Sequence, residues 1–141
     1  MRTLTAFAAF SALLLAASAQ AAVVHYAAKL DGASETPPTD SKGTGSAKVT
    51  LDTTKKTLSW TVTYSGLTGP ATMAHFHGPA PVGKAAGVAI PLTGPMVSPL
   101  KGSSPITDSQ IADLKAGQWY VNVHTAAHPG GEIRGQLAET H

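Results

Sequence analysis

Of the six histidines in the chain, four fall in two short segments, Ala74-His75-Phe76-His77-Gly78 and Val123-His124-Thr125-Ala126-Ala127-His128-Pro129. Imidazole titrates near neutral pH and is the commonest side-chain ligand for transition metals. In an extended segment successive side chains point to opposite faces, so His75 and His77 share one face and Phe76 takes the other. Their Cα atoms then lie roughly 6.5–7 Å apart. From that spacing two imidazole tips can converge on one ion with bonds of about 2.0–2.1 Å. In the second segment Trp119, Val121 and Val123 form an apolar face, which leaves His124 with Tyr120 and Asn122 on the polar one. His128 follows a short loop, and the turn at Pro129-Gly130-Gly131 can fold it back beside His124. Either pair alone is explained as well by a polar strand face with hydrogen-bonded rings. Two pairs in one small chain bring a metal site level with that reading. The candidate ligands are His75, His77 and His124, with His128 as a possible fourth. His25 and His141, near the chain ends, read as surface residues. All-imidazole ligation suits copper or zinc, and copper is favoured because it binds more tightly at comparable sites.

The remainder of the chain is chemically quiet. Gly43-Thr44-Gly45-Ser46-Ala47-Lys48 is superficially like a phosphate loop, but it lacks the Lys-Ser/Thr ending and precedes a strand. There is no Gly-x-Ser-x-Gly elbow, no cysteine to serve as a thiol nucleophile, and no evident pair of catalytic carboxylates. The balance is therefore against an enzyme. A formal charge of +2 over 141 residues gives no electrostatic case for nucleic acid or an anionic membrane as partner. Glu132 and Arg134 alternate with Ile133 and are expected to form a structural ion pair. The alternative is that Glu132 or Asn122 accepts an imidazole N–H and orients a ligand.

The elements that must position these residues are short strands separated by Gly, Pro, Ser and Asp clusters. Leu58, Trp60, Val62 and Tyr64 alternate with Thr57, Ser59, Thr61 and Thr63, and Ala47, Val49 and Leu51 precede the turn at 52–56. That pattern predicts a half-buried antiparallel hairpin. Further strands are predicted over 23–30, 72–77, 87–92, 118–125 and 132–137, with 93–106 as a long loop. Thr107 and Gln110 have the spacing of a capping box, which predicts a short helix with Ile111 and Leu114 facing the core and Gly117 as its stop. The fold class is all-β, an antiparallel β-sandwich or barrel with one short helix. Residues 1–21 read as a cleaved signal peptide, with Arg2 before an uncharged apolar run and a small-x-small site at Ala19-Gln20-Ala21. That leaves 22–141 as a single domain, exported to the periplasm or secreted. It contains no membrane span of sufficient length and no cysteine for a disulfide.

Several stretches together carry a family resemblance. They are Asp31-Gly32-Ala33-Ser34-Glu35-Thr36-Pro37-Pro38, Tyr64-Ser65-Gly66-Leu67, Ala74-His75-Phe76-His77-Gly78-Pro79-Ala80, Trp119 to Thr125, and His128 to Leu137. In this order they resemble the CHRD domain, named after chordin and also present in exported bacterial proteins. The resemblance implies an immunoglobulin-like β-barrel, distantly similar to copper/zinc superoxide dismutase. In that enzyme a His-x-His at a strand end ligates copper, and His75-Phe76-His77 is similar to it. This chain has no disulfide cysteines, little charge in 93–106 and no evident second set of metal ligands. The similarity therefore implies a single metal site, not the dismutase reaction. Because chordin acts by binding proteins, the resemblance also supports a metal-free module that contacts an envelope or extracellular protein. A dismutase-like redox enzyme ranks third.

Overall fold

The computed structural model describes residues 22–141. The expected signal peptide, 1–21, lies outside the described residues. Strands β1 (Val23–Asp31), β2 (Thr44–Asp52) and β3 (Thr57–Ser65) form a meander. They pair antiparallel along their whole lengths, from Val23↔Asp52 to Asp31↔Thr44 and from Thr44↔Ser65 to Asp52↔Thr57. The period of two fixes this register. Leu51 faces Leu58, Val49 faces Trp60 and Ala47 faces Val62, all of them buried, and a slip by one residue would turn one strand's set outward. Asp52 Oδ1 closes the β2–β3 turn by accepting from the Thr54 and Lys55 amides at 3.0 and 2.8 Å.

The chain continues through β4 (Ala71–His77), β5 (Val88–Pro91), β6 (Leu100–Pro105), helix α1 (Asp108–Lys115), β7 (Tyr120–Thr125), β8 (Ile133–Gln136) and β9 (Ala138–Glu139). The strand order is β5-β4-β7-β8-β1-β2-β3-β6, with β9 added beside β1. Eight antiparallel strands thus wrap into a nearly closed barrel with one short helix, the all-β class that the sequence predicts. Inside it Trp60 meets Phe76 edge-on at 5.3 Å, and Phe76 stacks on Trp119 at 6.0 Å. Helix α1 has the predicted capping box. Thr107 accepts from the Gln110 amide, Gln110 Oε1 accepts from the Thr107 amide, and Ile111 and Leu114 are buried. Gln110 Nε2 also donates to Ala89 O at 3.3 Å, tying the helix to the edge strand β5. Among the described residues no helix is long and apolar enough to cross a membrane.

One expectation is corrected. The segment 93–106 is not a continuous loop, because β6 pairs with β3 from Thr57↔Pro105 to Val62↔Leu100. Leu100-Lys101-Gly102-Ser103-Ser104-Pro105 has no apolar alternation, so its strand geometry comes from the partner edge and not from its own pattern. Gly102 lies opposite Trp60, and a Cβ there would press on the indole ring.

The region that positions the histidines is β4-β7-β8. Across it His77 pairs with Tyr120 and Tyr120 with Gln136; His75 pairs with Asn122 and Asn122 with Arg134; Met73 pairs with His124. These residues share the outer face, while Phe76, Val121, Val123 and Ile133 pack into the barrel. Every residue of β7 is nevertheless buried, on both faces. The outer face is covered by the β1–β2 connection, the β4–β5 connection and the β7–β8 loop, which reach it through Glu35 and Thr36, Pro81 and Ala86, and Pro129, respectively. The result is a polar layer between a sheet and its covering loops.

Candidate metal centre

His75 and His77 come from β4, and His124 from β7 on a diagonal to His75. The ligand atoms of these three rings all lie within 4.8 Å of one another. His75 Nδ1 is 3.0 Å from His124 Nε2. Ring centroids are 4.9 Å apart for His75 and His124, 5.4 Å for His75 and His77, and 6.4 Å for His77 and His124. His77 and His124 are buried, at 8% and 6% exposure, whereas His75 is half-buried and forms the solvent side of the group.

Backbone carbonyls set the tautomers of the two buried rings. His124 Nδ1 lies 2.9 Å from Pro129 O, and His77 Nδ1 lies 2.9 Å from Ala86 O. A carbonyl only accepts, so both Nδ1 atoms carry the hydrogen, and in a neutral ring the lone pair is on Nε2. His124 Nε2 then faces His75, whose Nδ1 must donate to it. His77 Nε2 faces a second oxygen, Asn122 Oδ1, at 2.9 Å. A neutral His77 cannot donate to both oxygens, so the contact is satisfied by a second proton at Nε2 or by the Asn122 amide turned about, with Nδ2 donating to Nε2. Burial lowers the pKa of His77, outweighing the opposing hydrogen bonds to Ala86 and Asn122. Burial, and then the neighbouring His124 and His77, also lower that of His75. Neutral imidazoles, the form that ligates metals, are thus favoured.

The donor set fits a transition-metal ion. Three nitrogens around one tetrahedral centre stand roughly 3.3 Å apart when each bond is about 2.0–2.1 Å. The His75–His124 pair is already near that separation, and the ligand atom of His77 lies within 4.8 Å of both. An ion held by these rings would need His75 in the tautomer with its hydrogen on Nε2, which frees Nδ1, while the Ala86 and Pro129 carbonyls would keep the buried rings oriented.

Around the trio the polar layer is tightly partnered. Asn122 Nδ2 donates to Glu35 Oε1 at 3.2 Å, and burial raises the Glu35 pKa against the opposing effect of the Thr36 amide, Asn122 and Arg134. Tyr120 stacks on His77 at 4.8 Å with an interplanar angle of 5°, and the Arg134 guanidinium sits 3.4 Å from the Tyr120 ring centroid. Gly131 has φ +123°, and a Cβ there would collide with Glu35 and Asn122, so this turn admits no side chain.

The structure separates His128 from the other three histidines. It is absent from the convergent group, and its Nε2 lies 4.0 Å from Glu132 Oε1 with 22% of its side chain exposed. Together with Glu35, it lines a cleft of about 510 Å³ between residues 35–40 and 127–131. None of the convergent histidines lines this cleft. The expected ion pair between Glu132 and Arg134 is not formed among the described residues. Glu132 instead accepts from Ser41 Oγ at 2.8 Å, Thr68 N at 2.9 Å, Thr125 Oγ1 at 2.7 Å and Thr68 Oγ1. Burial pushes its carboxyl up, but these bonds outweigh it and hold the pKa at about 2. Arg134 donates to Thr36 Oγ1 at 3.0 Å and Gln136 Oε1 at 3.2 Å.

Of the two orienting roles weighed from sequence, Asn122 is in contact with an imidazole, whereas Glu132 makes only the long approach to His128. Glu35 was missed in the sequence. Its one signal is a lone acid in the proline-rich run Ser34-Glu35-Thr36-Pro37-Pro38, with no local partner.

No curated protein and no solved structure matches the chain. The CHRD domain matches residues 26–137, from the middle of β1 to the residue after β8, and the chain belongs to the CHRD domain family.

Proposed function

We propose that this CHRD domain binds a single copper ion through His75, His77 and His124, for storage, tolerance or electron handling outside the cytoplasm. The observation that carries the reading is the convergence of three imidazoles, two of them buried with Nδ1 held by a backbone carbonyl. With Nδ1 committed to a carbonyl, Nε2 is the nitrogen each buried ring has left to offer a metal, and the ligand atoms of all three rings lie within 4.8 Å of one another. Copper is favoured over zinc because it stands above zinc in affinity at comparable nitrogen sites. An exported location, periplasmic or secreted, is supported by the leader-like residues 1–21. His128 is left out of the ligand set because it faces Glu132.

The test is a copper(II) titration of metal-free protein, followed by calorimetry and electron paramagnetic resonance. The expected result is saturation at one ion per chain, with nitrogen hyperfine structure in the spectrum. A folded His75→Ala/His77→Ala variant that bound copper(II) as tightly as wild type would overturn the proposal. Zinc displacing copper at equal concentration would overturn the metal assignment.

A further inference from the structure

A three-histidine group leaves at least one position of a four-coordinate ion to be filled. On this face of β4, β7 and β8 most donor atoms are already committed. Tyr120 Oη accepts from the Ala86 amide and donates to Ala86 O, Asn122 joins His77 to Glu35, and Gln136 holds Ala80 O, Gly117 O and Arg134. The remaining Lewis base on this face among the described residues is Met73. It precedes His75 by two positions on β4, so its side chain leaves the strand on the same side as His75 and His77. In register it pairs with His124. Side chains in such a pair leave Cβ atoms about 4.5–5.5 Å apart, so a long unbranched side chain reaches its neighbours' tips. Met73 is also 49% exposed, a large apolar side chain open to solvent beside a buried polar layer. Nothing in the packing of the core requires a methionine there.

Building on the metal-binding reading above, we infer that Met73 supplies a thioether ligand to the ion held by His75, His77 and His124, and that it tunes the site toward copper(I). A thioether is a soft donor. It adds affinity for copper(I) and little for zinc, so a His₃Met set discriminates between ions that three imidazoles alone both accept. Met73-Ala74-His75-Phe76-His77 places all three β4 donors at alternate positions, and pairing with β7 brings the fourth, His124, alongside.

The experiment compares wild type, Met73→Leu and His75→Ala/His77→Ala as purified chains. Copper(I) affinity is measured anaerobically by competition with a chromophoric copper(I) chelator, and zinc affinity by an equivalent competition. X-ray absorption identifies the atoms bound to copper(I). Leucine keeps the volume and the apolar character of an exposed position, so the variant folds. The expected result is a sulfur scatterer in wild type that disappears in Met73→Leu. Copper(I) affinity falls about tenfold or more, while zinc affinity changes less than about twofold. If Met73→Leu binds copper(I) like wild type while the double histidine variant loses it, the thioether role is overturned and the histidine site stands. If the double histidine variant also binds both metals like wild type, the underlying site falls with it.

Discussion

The outer face of β4-β7-β8 and the loops around it hold two buried polar clusters, and they solve the same problem in opposite ways. At Glu132 the carboxylate oxygens receive four hydrogen bonds from Ser41, Thr68 and Thr125, so every group that approaches it is a donor. At the histidines, His75 Nδ1 donates to His124 Nε2, but His77 Nε2 faces Asn122 Oδ1 and that contact is one hydrogen short. A buried polar group with its partners complete stabilises the fold, whereas one left short of partners costs free energy unless something arrives to complete it. The comparison teaches that burial alone does not mark a functional site. The Glu132 hub staples the β1–β2 connection, the β3–β4 loop and the end of β7 together. The trio could hold a metal ion.

The largest expected effect breaks the satisfied side. Glu132→Gln turns an amide N–H₂ toward hydroxyl and amide donors and should lower unfolding free energy by about 3 kcal/mol or more, read from urea denaturation. The same cluster governs acid stability. Glu132 titrates at about 2 in the fold against an ordinary 4.5, so its contribution is complete above pH 4.5 and is lost as pH falls toward 2. That window holds about 3 kcal/mol. Denaturation of wild type and Glu132→Gln across it should converge toward the acid end. A constant difference between them would show that the hub is not what titrates.

Next comes the unsatisfied side. Copper at about a hundredfold over Kd should stabilise wild type by about 2.7 kcal/mol, seen as a rise in Tm of roughly 10 °C. The His75→Ala/His77→Ala variant should show none of this rise, and a rise equal to wild type would remove the contrast between the clusters. Asn122→Ala leaves Glu35 and His77 without their shared partner and should cost the metal-free protein about 1–3 kcal/mol by thermal melts. The smallest effect sharpens the boundary. His128→Ala should change stability by no more than about 0.5 kcal/mol and leave copper affinity as in wild type. A clear loss of copper affinity would return His128 to the ligand set.

Much of the molecule was legible in its residue pattern where the signal is local. The β2–β3 hairpin followed from alternation across an Asp52 turn, and α1 followed from Thr107 and Gln110 at capping-box spacing. β6 escaped because Leu100–Pro105 carries neither alternation nor β-branched residues and is a strand only by virtue of the β3 edge. The Glu132–Arg134 pair failed for a related reason. The two sit two residues apart, but each found a partner from a distant segment, Thr68 in one case and Thr36 in the other. Met73 has only strand parity with His75 and His77 in the sequence; its exposure and its register with His124 come from the fold.

By itself the sequence determined which side chains share a face. Strand parity puts His75 with His77, and His124 with Tyr120 and Asn122, because consecutive residues of an extended chain must point to opposite sides. Tertiary structure alone decided that β4 lies beside β7 and that three connections bury their polar face. It also decided that Ala86 and Pro129 hold two imidazoles while His128 turns to Glu132. Those outcomes depend on contacts between residues far apart in the chain. Such contacts are set by how the whole barrel closes, and no local spacing encodes them.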